Sequence, residues 1–175
     1  YNSLLVNSSI ISFYLIPFYF LIFTYHREKL DLINLKNITV LFFIILIVWV
    51  MSQSFDYNFK MGGGYFLKLS LILFGDFNFF YLTSIIGFFL LYLLGKNKPN
   101  NIILILLILF GFSARILFPK YFEPMLIILL FFVFSTKLPQ VFLKEKRNIY
   151  LYGVYMLIYL ITGIVNQAFQ ITKTL

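Results

Sequence analysis

The sequence predicts an all-α fold: a polytopic transmembrane helical bundle of about six spans, with one short interfacial or re-entrant helix. Three observations carry this expectation. Hydrophobic residues make up 62% of the chain and charged residues 11%, against roughly 25% charged in a soluble domain. The chain cannot clothe a water-facing surface with so few charges, so lipid becomes its main solvent. The apolar residues also fall into runs near the length of a membrane crossing, and the breaks between runs are short and hold most of the charges.

The first run, Ser3 to Thr24, contains Pro17, which a membrane helix tolerates. A polar loop from His26 to Asp31 reaches on to Lys36 and Asn37. The second span runs from Ile38 to Ser52, with Trp49 as an interfacial anchor. Phe55 to Gly64 reads as a loop by composition. Tyr65 to Phe74 is apolar but too short to cross, carries Lys68, and stops at Gly75-Asp76. It is the interfacial or re-entrant helix. The third span is Phe77 to Leu94, followed by a turn from Gly95 to Asn100. The fourth and fifth spans, Ile102 to Leu117 and Pro124 to Phe134, flank the segment Ser113 to Pro124. Thr136 to Asn148 reads as a basic loop. The sixth span is Tyr150 to Phe169, with Lys173 in a short tail.

Six such spans use nearly all of the 175 residues as a single transmembrane domain, 1–175. The first residue is Tyr1 and not Met, so the chain reads as the C-terminal part of something longer. No basic stretch precedes the first apolar run, against a signal peptide. Cysteine is absent and His26 is the single histidine, which excludes disulfides, thiolate metal sites and His-rich metal sites. The abundance of Phe, Ile, Tyr, Asn and Lys, all with AT-rich codons, points to a bacterium and hence to its inner membrane. The net charge of +8 is scattered over short loops. Basic loops of that kind face anionic membrane lipids and exclude nucleic acid as a partner.

Alternate loops share a side. Those near residues 25–37, 95–101 and 136–149 hold nine Lys and Arg residues, against five for the remainder. The positive-inside rule puts the first set in the cytoplasm. The Asp56–Asp76 and Arg115–Pro124 regions then face outward.

Candidate chemistry lies in those outward segments, because a charge at membrane depth costs about 2.5–3.5 kcal/mol and tends to mark a site. Arg115, Lys120, Lys60 and Lys68 are candidates to bind a lipid phosphate, Arg by paired hydrogen bonds and Lys as a point charge. Helix-end anchoring competes with that role for each. Asp56 and Glu123 are weak candidates for a general base, and Tyr121 and Asp76 for orienting substrate. Each acid also fits a solvated loop position, and Glu123 fits a pair with Lys120 one helical turn earlier. Gly62-Gly63-Gly64 lacks the Gly-Lys-Ser/Thr of a nucleotide loop and reads as a flexible turn, with close backbone approach to a ligand as the functional alternative. Tyr152, Tyr155, Tyr159, Thr162, Asn166 and Gln170 form a polar stripe on the last helix, suited to hydrogen bonds between helices. The residues specify no metal site and no cofactor; a divalent cation accompanying a sugar phosphate stays open.

Lys120-Tyr121-Phe122-Glu123-Pro124, with Arg115 upstream and an apolar span downstream, resembles polytopic glycosyltransferases of the GT-C superfamily. It is most similar to the C-terminal region of lipid-phosphate-glucose-dependent α-1,2-glucosyltransferases. Gly62 to Ser70 also looks like a membrane-proximal loop of these enzymes, but lacks their Asp-Asn-Arg-His-type motif. The resemblance implies transfer of a sugar from a polyprenyl-phosphate donor to an envelope acceptor on the outer face. It also implies a catalytic acid in an early outward loop that this chain lacks. Arg115 and Lys120 would hold the donor phosphate, Lys60 and Lys68 would assist, and Asp56 or Glu123 would orient hydroxyls. Two rival expectations are a multi-pass transporter or lipid flippase, and a non-catalytic membrane assembly subunit.

Overall fold

A computed structural model of the chain describes residues 2–26, 34–57, 62–96, 98–111, 123–136 and 138–174; of residues 22–26, 123–124, 141 and 164–174 only the backbone is described. Every regular element among the described residues is helical. They are α1 (Asn2–His26), α2 (Leu35–Ser52), α3 (Gly64–Phe74), α4 (Asn78–Gly95), α5 (Pro99–Gly111), α6 (Glu123–Ile128), α7 (Leu138–Lys144) and α8 (Lys146–Thr174). A π-helical turn, Leu129–Val133, continues α6. Its register shows in the bond from the Phe134 amide to the Leu129 carbonyl (2.7 Å), five residues back.

Three helices are long and apolar enough to cross a membrane: Asn2–Leu21 within α1, then α2 and α4. Met125–Val133 and Leu138–Lys144 meet at 97° and make a fourth crossing if they form one broken span. α3 and α5 are apolar but shorter. The fourth predicted span is helical to Gly111, and its remainder lies outside the described residues.

The most apolar of these three helices is the least buried. α2, the most apolar of the three, is 11% buried, whereas α1 is 83% buried. Lipid is as good a solvent for Leu and Ile as another helix is, so a uniformly apolar helix gains little by moving inward. Phe42, Phe43, Ile47 and Trp49 of α2 accordingly stay exposed. α1 carries Asn7, Ser8, Ser9 and Ser12, all fully or nearly fully buried. Those groups need protein partners in a medium without water, which places α1 at the centre of the bundle.

The partners come mainly from α4. Ser8 Oγ donates to the Ser84 carbonyl (2.6 Å), Ser84 Oγ donates to the Leu5 carbonyl (3.0 Å), and Ser9 and Thr83 share a hydrogen bond at 2.9 Å. Gly87 permits this close approach: a Cβ there would lie 2.0 Å from the Ser8 carbonyl oxygen. α5 adds a third wall, with Asn7 Nδ2 donating to the Leu109 carbonyl (3.0 Å).

One expectation is corrected. Thr136 to Asn148 is not a plain loop, because α7 occupies most of it. Leu138 and Phe142 lie one helical turn apart and are buried, Phe142 against Phe18 with ring centroids 4.6 Å apart. The basic residues on either side hid this pair of apolar anchors.

Candidate functional site

The contacts sort the helix ends into two groups. At one end, Asn37 of α2 meets Tyr92 and Lys96 of α4, and Asn101 of α5 bonds both to the Leu94 carbonyl and to the Ser135 amide. At the other end, Asn2 Nδ2 donates to the Asp56 carbonyl. There Phe55 packs on Phe77, Phe80 and Tyr81 at the start of α4. This second end holds Asp56 and Asp76, two members of the site predicted to face outward.

α3 gives that end its shape. Gly62, Gly63 and Gly64 are buried, and Gly63 and Gly64 have φ of 92° and 79°. A Cβ on Gly64 would lie 2.6 Å from Ile10 Cγ1, so only glycine fits both the backbone angle and the space. Ile10 sits eight residues into α1, about 12 Å from its start at 1.5 Å per residue. The chain therefore enters the bundle beside Ile10 and returns along α3 to Phe74. Tyr65 and Phe66 pack on Phe13 at the inner end of this return (5.2 and 5.5 Å). At its outer end Ser70 Oγ accepts from the Phe80 amide (3.1 Å) and donates to the Asp76 carbonyl (2.7 Å). α3 is thus a short apolar helix that begins against Ile10 inside the bundle and ends at its boundary. Its glycines serve close packing, not an exposed flexible turn.

The predicted site residues fare differently. Asp76 is exposed, and its carboxylate accepts from the Asn78 amide (2.9 Å) and from Asn78 Nδ2 (2.7 Å). That geometry closes the turn between α3 and α4. Asp56 is exposed, and Lys68 is half-buried on α3. Lys60, Arg115, Lys120 and Tyr121 lie outside the described residues, as does the side chain of Glu123, which opens α6. Among the described residues no three His, Asp or Glu side chains are grouped to hold a metal ion.

The polar stripe on α8 faces the bundle where it is described. Tyr155 OH donates to the Phe13 carbonyl (3.0 Å), and Thr162 bonds within its own helix to the Tyr159 carbonyl (2.8 Å). Tyr155 and Tyr159 pack on Phe13 at 5.0 and 4.9 Å, and Tyr159 meets Tyr65 at 5.6 Å. Phe13 therefore anchors a half-buried aromatic wall between α3 and α8.

No family model, curated protein or solved structure matches the chain. The site therefore stands on its own geometry. That geometry is a short apolar helix with an aromatic wall at its inner end, Lys68 half-buried along it, and Asp56 exposed at the boundary where the helix ends. The sequence reading missed the seam of Ser8 and Ser9 with Ser84 and Thr83, and the bond from Asn7 to the Leu109 carbonyl. The signal for it was the small polar residues Ser8 and Ser12 spaced four apart on α1, and Ser84 and Gly87 spaced three apart on α4.

Proposed function

We propose that this chain is part of a polytopic membrane glycosyltransferase of the GT-C kind. It moves a sugar from a polyprenyl-phosphate donor to an envelope glycan, lipid or protein acceptor on the non-cytoplasmic face of a bacterial inner membrane. In this reading all six apolar stretches cross or enter the bilayer. Arg115 and Lys120 bind the donor phosphate, with Lys60 and Lys68 assisting. Asp56 or Glu123 activates the acceptor hydroxyl, and Tyr121 and Asp76 orient it. The placement of α3, which we read as re-entrant, supports the proposal best. It sets Lys68 on a helix that begins against Ile10 inside the bundle and ends at the same boundary as Asp56. A lipid-borne substrate needs its apolar tail and its charged group met at one boundary, and a re-entrant helix there meets both.

The test is sugar transfer by the full-length protein in detergent from a polyprenyl-phosphate sugar. Arg115→Ala and Lys120→Ala are each expected to lower the rate at least tenfold. Transfer unchanged in both variants removes the phosphate site.

A second reading is a transporter or lipid flippase. It is favoured by the 97° break after the π-helical turn, since transporters build sites at interrupted helices and π-turns recur at functional positions. Substrate flux in proteoliposomes without chemical conversion would select it.

A further inference from the structure

An open apolar groove of about 450 Å³ runs between α2, α4 and α5, at the end of the bundle opposite Asp56. Val40 and Ile44 form one wall, Phe88 and Leu91 the floor, and Ile105 and Leu109 the other wall. Lys36 and Lys96 line its mouth, together with Tyr92.

We propose that this groove binds an anionic glycerophospholipid, one acyl chain in the trough and the phosphate against Lys36 and Lys96. The claim is independent of the transferase reading, which uses neither Lys36 nor Lys96. Charge is the first argument. The two lysines are 60 residues apart in sequence yet line one cavity, and among the described residues no carboxylate pairs with either. The second argument is that Lys96 is held in place. Its Nζ donates to Asn37 Oδ1 (3.1 Å), which also accepts from Tyr92 OH (3.2 Å), and Asn37 is 1% exposed. An ammonium has three donors, so Lys96 keeps two for a phosphate oxygen while Asn37 fixes its position.

Depth is the third argument. Lys36 to Ile44 on α2, and Phe88 to Lys96 on α4, each cover eight residues, or about 12 Å of helix. The hydrocarbon half of a bilayer is about 15 Å deep. The trough therefore matches a single acyl chain lying in one leaflet below its own headgroup. A soluble anion would need the lysines and not the trough, and a second protein chain would need the trough and not the lysines. Basic clefts between membrane helices on the positively charged side of a protein favour anionic lipids in this way.

The experiment is native mass spectrometry of the full-length protein released from detergent with phosphatidylglycerol or phosphatidylcholine, and with inorganic phosphate as a competitor. Wild-type protein is expected to retain phosphatidylglycerol preferentially and to ignore inorganic phosphate. Lys36→Gln and Lys96→Gln should each cut that preference about fivefold, while binding of phosphatidylcholine stays unchanged. Ile44→Trp, at a half-buried position, fills the trough and should weaken both lipids. Lys146→Gln, another basic residue at the same end, should change neither. The proposal is overturned if the lysine variants keep the full preference, if inorganic phosphate displaces the lipid, or if the protein sheds lipid and pairs with a second copy when Ile44 is enlarged. Detergent-unfolding midpoints equal to wild type confirm that the variants are folded.

Discussion

Replacing Gly87 with alanine tests the packing of α1 on α4 directly. A Cβ at this position would stand 2.0 Å from the Ser8 carbonyl oxygen and 2.6 Å from Ser8 Oγ, whereas real Cβ contacts hardly fall below 3.0 Å. The obstructing atoms include backbone, so no rotamer change relieves the clash, and the two helices must part by about 1 Å, the difference between those distances. A gap of that size forfeits up to half of each facing dispersion contact. It also stretches three hydrogen bonds between the helices, now at 2.6, 2.9 and 3.0 Å. At an average of about 0.6 kcal/mol for such bonds in a membrane protein, their loss costs about 2 kcal/mol. With the lost packing the total approaches 3 kcal/mol, inside the usual range of about 1–3 kcal/mol for overpacking. Gly153→Ala is the control, because nothing lies within 4 Å of its Cβ position on α8. There alanine should be neutral or stabilise by up to about 1 kcal/mol through helix propensity. Unfolding by sodium dodecyl sulfate in mixed micelles, followed by far-ultraviolet dichroism, reads both variants. A Gly87→Ala protein as stable as wild type, or a Gly153→Ala protein equally damaged, refutes this account of the seam.

Three further outcomes follow from other contacts. Gly64→Ala meets both a φ of 79° and Ile10 Cγ1 at 2.6 Å, while Gly75→Ala meets a φ of 71° with open space around it. Gly75→Ala should cost about 1–2 kcal/mol from backbone strain and Gly64→Ala clearly more, in the same unfolding assay; equal losses would show that Ile10 is no obstacle. Asn101→Ala removes the bonds to the Leu94 carbonyl (2.8 Å) and from the Ser135 amide (2.9 Å), for about 2 kcal/mol. It should also quicken amide exchange at Ser135. Tyr155→Phe keeps the ring on Phe13 but drops the bond to its carbonyl (3.0 Å); a loss near 0.6 kcal/mol is expected, and a loss above 2 kcal/mol would mean the hydroxyl has a larger role.

The apolar stretches were legible because solvent chemistry writes them into composition. α2 shows this at its simplest, with a run of Val, Ile, Leu and Phe that the bilayer itself accepts. α3 was legible for a related reason, as an apolar run too short to cross and flanked by glycine and Gly75-Asp76. α7 was not, because Leu138 and Phe142 are two apolar residues among four basic ones between 137 and 147, and composition outweighed the one-turn spacing. Asn7, Ser8, Ser9 and Ser12 went unnoticed because polar groups inside an apolar run look merely tolerated until their partners are known. Ser12 bonds back to the Ser9 carbonyl of its own helix, but the partners of Asn7, Ser8 and Ser9, namely Leu109, Ser84 and Thr83, sit on other helices. Lys36 and Lys96 are likewise far apart in sequence, and each alone is an ordinary loop cation. For the outward site, Asp76 shows the limit of reading acids one at a time. Its carboxylate lies two residues from the Asn78 amide it caps, a local geometry that serves the turn before any substrate.

The central position of α1 sets a schedule for biosynthesis. Asn7, Ser8 and Ser9 bond to groups that leave the ribosome much later, the last being the Leu109 carbonyl, 102 residues downstream of Asn7. At about 5–20 residues per second that is a delay of roughly 5–20 s. Until Thr83 and Ser84 emerge, most of the way through this interval, Ser8 and Ser9 have no partner on another helix, and Asn7 waits for Leu109 to the end. A helix in that state is poorly suited to wait alone in lipid, so nascent α1 should linger at the insertion machinery until α4 and α5 arrive. α2, with no such face, is free to move into the bilayer ahead of it.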